Sequence, residues 1–119
     1  MYNSRITIGT TNFDLVSQMP YRSMRSNAAR SINEPQTLTV SHETAKSGLR
    51  SSVIILEDVK VLNTQTSAIK DSIKAQFKIQ FKPYSGRTDI EVTIGELISA
   101  LSAFVADPDN VDKLLNQES

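Results

Sequence analysis

Between Ile73 and Lys82 apolar and polar residues alternate without a break: Ile73, Ala75, Phe77, Ile79 and Phe81 on one parity, Lys74, Gln76, Lys78, Gln80 and Lys82 on the other. A period of two belongs to a strand with one apolar and one polar face. Pro83 has no N–H for a ladder and ends it. The period then changes. Ile90, Ile94, Leu97, Ile98, Leu101, Phe104 and Val105 recur at helical spacing, giving an amphipathic stripe. A chain that passes from a one-sided strand to a one-sided helix must bury both apolar surfaces against something.

The segments before this strand carry the same signal. Arg5-Ile6-Thr7-Ile8 alternates, Gly9-Thr10-Thr11-Asn12 supplies turn residues, and Phe13-Asp14-Leu15 resumes, which predicts an N-terminal hairpin. Residues 20–27 read as a short strand and Ala28 to Pro35 as a loop. In Thr37-Leu38-Thr39-Val40-Ser41-His42 the odd positions are hydroxylic and Leu38 and Val40 apolar, again one wet and one buried face. Ala45-Lys46-Ser47-Gly48 turns the chain into a strand from Arg50 to Val61, whose Val53-Ile54-Ile55-Leu56 core is apolar on both faces. Leu62 to Asp71 is polar and reads as an exposed loop.

Thr88 with Glu91, or Thr93 with Glu96, offers a capping box for the long helix, and Gly95 weakens its first turns by about 1 kcal/mol relative to alanine. Asp107-Pro108 restarts a short helix, with aspartate as N-cap and proline at the first position; Val111, Leu114 and Leu115 give it an apolar edge. The expected fold is α+β: an N-terminal hairpin and an antiparallel sheet of five to six strands, followed by two C-terminal helices. Residues 1–119 form one domain, with a β-sheet region at 1–83 and a helical region at 88–117. One long and one short helix are narrow cover for so wide a sheet. A homodimer sharing helices and edges is favoured on geometry.

The chain has 119 residues, enough for one modest core, and 39% are hydrophobic. It has no cysteine, which excludes disulfides, thiol nucleophiles and thiolate metal sites, and its single histidine excludes a multi-histidine centre. No apolar run approaches the roughly 20 residues of a membrane helix, and Met1 to Arg5 has no signal-peptide character, so a protein that is cytosolic, or assembled in a cytosol, without a membrane partner is expected. The zero net charge conceals a division. Residues 1–88 carry 12 Lys and Arg against 6 Asp and Glu; residues 89–119 carry Lys113 alone against 7 acids. Such asymmetry suggests a basic portion that meets a polyanion and an acidic portion that does not. Lys74, Lys78 and Lys82, about 13 Å apart at every fourth strand position, could meet successive phosphates; they also suit an ordinary solvated sheet face.

No catalytic arrangement emerges. His42 and Glu43 are strand neighbours and point to opposite faces, as do Glu57 and Asp58. Asp107, Asp109 and Asp112 lack the spacing and glycine of a calcium loop and serve helix capping better. Phosphate-loop, dinucleotide and nucleophile-elbow motifs are absent. The chain reads as a non-enzyme without a cofactor or metal.

The order of elements and several stretches resemble the coat proteins of single-stranded RNA bacteriophages, across roughly residues 36–118. The resemblance rests on Pro35-Gln36-Thr37-Leu38-Thr39-Val40-Ser41-His42, on the lysine-rich strand after a polar segment, and on Tyr84-Ser85 leading into Glu96-Leu97-Ile98-Ser99-Ala100-Leu101 and a short helix ending Leu114-Leu115-Asn116. It implies an interlocked homodimer with one continuous sheet, each subunit's helices lying over its partner's apolar face. Dimers would build an icosahedral T=3 virion, assembled in the bacterial cytoplasm around single-stranded genomic RNA. The polar face would look inward, bind RNA and repress replicase translation through a stem-loop. Family members hold an unpaired adenine with a Thr-x-Ser pair, and Thr39-Val40-Ser41 stands in that place; the neighbouring strand's lysine has no counterpart, since Val53 and Ile55 lie near it. The expected RNA-binding set is Thr39, Ser41, Arg50, Lys74, Gln76, Lys78 and Gln80; Arg22, Arg25 and Arg30 suit further RNA or inter-dimer contacts and equally a solvated loop. Residues 62–71 would be the loop between dimers.

Two other classes fit less. A free homodimeric RNA-binding regulatory module would use the same sheet platform, but the exposed strand lacks the polar-side aromatics on which single-strand binders stack bases. A small α+β enzyme lacks any acid–base constellation.

Overall fold

The computed structural model describes residues 4–63 and 66–117. Six strands form one antiparallel sheet in sequence order: β1 (Arg5–Ile8), β2 (Thr11–Met19), β3 (Arg22–Asn27), β4 (Gln36–Thr44), β5 (Arg50–Asn63) and β6 (Ala68–Phe81). Two helices follow, α1 (Ile90–Ala106) and α2 (Pro108–Leu115). The chain divides between Lys82 and Pro83 into a sheet unit and a helical unit.

Strands that follow one another in the chain are neighbours in the sheet. Ile8 pairs with Thr11 across Gly9-Thr10, and Gly9 has φ +61° at the first turn position, the glycine-demanding site of a type II′ turn. At the β4–β5 turn the Gly48 amide donates to the Ala45 carbonyl at 2.9 Å, and the Ala45 amide to the Leu49 carbonyl at 2.9 Å. The register of β2 on β3 shifts between Leu15 and Ser17, a bulge that lets one strand carry an extra residue.

The 62–71 loop expectation is overturned. β5 runs on to Asn63 and β6 begins at Ala68, so Leu62, Asn63 and residues 68–71 are paired strand; Thr64 and Gln65 lie outside the described residues. The alternation was obscured because Asp71 occupies an apolar-parity position. In the fold it stands directly opposite Lys60, and opposite charges facing across strands are favourable. β6 also ends at Phe81, one residue before Lys82.

The apolar core is small. Phe13, Leu38 and Val40 are buried, and Leu38 and Val40 stand opposite Leu56 and Ile54 of β5. The same face carries Phe77, Ile79 and Phe81, which are half-buried, and Ile73, which is 70% exposed. Arg25 lies on this face too, only 1% exposed, its Nη1 donating to Ser23 Oγ at 2.8 Å. It is therefore a structural residue of the apolar side and not a contact offered to RNA.

Arg30 is likewise structural. Its guanidinium forks onto Asp58 at 2.9 and 3.1 Å and donates to the Glu34 and Val59 carbonyls at 3.0 and 3.2 Å. The clamp ties the 28–35 loop to β5 and so sets the start of β4; Gln36 adds a bond to Asp58 at 3.3 Å. The hydrogen bonds from Arg30 hold the Asp58 carboxyl below its ordinary value against a smaller opposing effect of burial. A depressed carboxyl stabilises the fold above its unfolded pKa of about 3.9, and that stabilisation is lost as pH falls through the lower folded value. Hydrogen exchange in residues 28–35 should be flat from pH 5 to 8 after correction for intrinsic rates, and rise below about pH 4. Arg30→Ala should raise it already at neutral pH. Equal protection in the variant would remove the clamp's role.

Neither capping box forms at α1. Asp89 is the N-cap residue, and its carboxylate makes no cap bond. It accepts instead from Arg87 Nε at 2.6 Å and Thr93 Oγ1 at 3.0 Å. At α2 the expected cap is present: the Asp107 carboxylate accepts from the Asp109 amide at 3.0 Å, with Pro108 at the first position. No residue of either helix is fully buried; along the α1 stripe Ile90, Ile94 and Ile98 are half-buried and Leu97, Leu101 and Phe104 exposed, Phe104 at 49%.

Candidate nucleic-acid interface

Directly opposed residues in an antiparallel register share a face, so the pairing sorts the predicted residues. On the polar face, Thr37 of β4, Glu57 of β5 and Lys74 of β6 form one row, and Thr39, Ile55 and Gln76 the next. Ser41, Val53 and Lys78 form a third, extended by Arg22 of β3, and Glu43, Ser51 and Gln80 a fourth. Thr39, Ser41, Lys74, Gln76, Lys78 and Gln80 therefore lie together on one surface. Val53 and Ile55 sit beside the Thr-x-Ser pair, and the lysine of that row, Lys78, comes one strand further out.

Arg50 does not join them. It stands opposite Thr44 and Phe81, at the end of the apolar face. Thr39 is on the polar face but only 8% exposed, because β4 has neighbours on both sides; Ser41, half-buried, is the more open hydroxyl of the pair.

The cationic row is displaced from its expected position. Because β6 is 14 residues long, Lys70 takes the place that Lys82 was expected to fill, and Lys70, Lys74 and Lys78 recur every fourth residue on the polar face. Sequence alone could not enrol Lys70, since its segment reads as loop. Arg22 adds a fourth cation three strands from Lys78 along the same row. The face is not uniformly basic. Lys74 Nζ lies 3.2 Å from Glu57 Oε2, with the lysine side chain 64% exposed. An exposed pair of this kind holds little energy, so a phosphate can draw the ammonium away. Gln80 Nε2 donates to Ser51 Oγ at 3.1 Å. His42 faces the other way, its Nδ1 2.8 Å from Ser52 Oγ.

Chemically, the surface offers ammonium and guanidinium groups at strand-length intervals around a floor of hydroxyls, amides and two aliphatic side chains. Cations of this type position a polyanion, while the hydroxyls and amides can meet sugar or base edges.

No protein-family model matches the sequence. No curated protein matches it. Solved structures do. The virus-like particle of Beihai levi-like virus 21 is similar with a TM-score of 0.71 at 12% identity, covering 97% of this chain and 93% of that one. The virus-like particle of bacteriophage NT-391 gives 0.70 at 13% identity, over 91% of each chain. The protein capsid of bacteriophage GA gives 0.57 at 19% identity, over 93% and 87%. At such identities the shared property is the backbone architecture, six antiparallel strands then two helices, and the chain has the fold of the coat proteins in levi-like virus and bacteriophage particles.

Proposed function

We propose that the chain is the structural subunit of a virion, assembling as homodimers into an icosahedral shell around single-stranded RNA, with the polar face of β3–β6 turned to the RNA. The observation that supports this most is the fold match over nearly the whole chain to proteins solved as virus-like particles. The open apolar surfaces agree with it. A chain with three buried apolar side chains among its described residues and with Leu97, Leu101, Phe104 and Val105 exposed on α1 has unmet burial to gain from a second copy. β6, an edge strand of 14 residues, offers a partner its free ladder groups. In this reading the acidic helices face away from the RNA, and the polar face binds a stem-loop that represses replicase translation. Structural work of this kind requires no catalytic group.

The test is expression of the protein alone in bacteria, followed by negative-stain electron microscopy and absorbance at 260 and 280 nm on one size-exclusion fraction. Uniform round particles rich in nucleic acid are expected. A small dimer that binds RNA without forming particles would replace the shell with a free RNA-binding module.

A further inference from the structure

β6 is the last strand of the sheet, and its outer edge pairs with no strand among the described residues. The edge is long, from Ala68 to Phe81, and its polar parity is regular: Lys70, Lys74 and Lys78 alternate with Ser72, Gln76 and Gln80. A regular charge period restricts the ways in which two such edges can join, because like charges directly opposite each other across a ladder repel.

We infer that β6 pairs antiparallel with β6 of a second copy in one register, with the two-fold axis at Ala75. The inference rests on the homodimer reading and adds to it which residues meet. Two-fold symmetry makes the seam isologous, so a residue a given number of steps before the axis faces the partner's residue the same number of steps after it. An axis between two residues would set polar parity against apolar parity and turn the two apolar faces to opposite sides of the sheet. The axis therefore lies on a residue. On Lys74 it would set Lys74 against its own copy and Lys70 against the partner's Lys78; on Gln76 it would set Lys74 against the partner's Lys78. On a residue of apolar parity it sets no lysine of β6 against another. Of these, Ile73 would leave Ile79 to Phe81 beyond the overlap and Phe77 would leave Ala68 to Ser72, whereas Ala75 pairs 69–81, all of the strand but its first residue.

In this register Lys74 faces the partner's Gln76, Lys78 the partner's Ser72 and Lys70 the partner's Gln80. On the other side of the sheet Ile73, 70% exposed in the single chain, gains the partner's Phe77, and Ile69 gains the partner's Phe81. Asp71 faces the partner's Ile79 and keeps Lys60 on its inner side. The lysines of the two copies then alternate along the seam at every second residue, about 6.6 Å apart along the strands, half the interval within one chain. That denser row of cations exists only where two copies join.

The chain has no cysteine, so one introduced cysteine can cross-link only to its counterpart in a second copy. Directly opposed Cα atoms lie within disulfide reach, and diagonal neighbours lie beyond it. The whole protein is oxidised as Ile73→Cys, Lys74→Cys, Ala75→Cys, Gln76→Cys and Phe77→Cys, and covalent dimer is followed by non-reducing electrophoresis. Ala75→Cys is expected to cross-link about tenfold faster than any of the others. Charge changes at Gln76 give a second readout. Gln76→Lys should raise the dimer dissociation constant about tenfold and Gln76→Glu lower it by a similar factor, since each faces the partner's Lys74 twice per dimer; both shifts should shrink at high salt. Fastest cross-linking at any other position would overturn the Ala75 register and leave the shared strand edge standing. Equal shifts for the two Gln76 variants would overturn the lysine rule. A dimer by size-exclusion chromatography in which no cysteine cross-links would overturn the pairing of β6 with itself. A monomeric wild-type protein would overturn the homodimer reading and the register with it.

Discussion

Phe104→Asp is expected to abolish particles and dimers together. Within the chain Phe104 is 49% exposed and no residue of α1 is buried, so a lone subunit has little to lose from the change. If a second copy covers the α1 stripe, the substitution removes about 1.5–3 kcal/mol of apolar burial per side chain. It also forces an unpaired carboxylate into an apolar contact, a further several kcal/mol. Two-fold symmetry places the lesion twice in each dimer. Size-exclusion chromatography and electron microscopy would show monomer or aggregate in place of particles. Particles at normal yield would mean that the α1 stripe around Phe104 is not the covered surface, and would end the interlocked-dimer reading. Truncation before Asp89 tests the same idea more severely, since it deletes both helices; a soluble folded dimer of residues 1–88 would be equally damaging to it.

The second large effect concerns RNA content. Replacing Lys70, Lys74 and Lys78 together by alanine removes the cationic row of β6 and leaves its apolar parity untouched. Each phosphate that no longer meets a lysine should flatten the dependence of log K on log salt by about 0.7 for a single strand, hence by about 2 for the three if all are engaged. The variant should still assemble, with a lower 260/280 ratio and less RNA per particle. Lys74 is expected to contribute least, because its ammonium starts on Glu57 at 3.2 Å and must leave that partner. Unchanged RNA content in particles of the triple variant would remove the β6 row from the interface.

The local periods were legible without any fold. The alternation of 73–81, the 3.6-residue stripe of α1, the Gly9 turn and the Asp107-Pro108 restart depend on backbone geometry and on residues a few positions apart. Each element stands where its period places it. Side chains that answer to distant partners were not legible. Asp71 breaks the period because its neighbour across the sheet is Lys60, and that hid the first five residues of β6, Lys70 among them. Arg25 and Arg30 read as surface cations; one is buried on the apolar face and the other is clamped to Asp58, 28 residues away.

Arg50 marks the limit most clearly. Val53 to Leu56 is apolar on both parities, so nothing local says which face Arg50 joins. Only its position opposite Phe81 places it on the apolar side, away from Lys78. The sequence by itself determined the kind and order of the elements, because strand and helix periods are properties of neighbouring residues. The tertiary structure decided which charges share a surface, because that depends on register, and a shift of one residue exchanges the two faces of a strand.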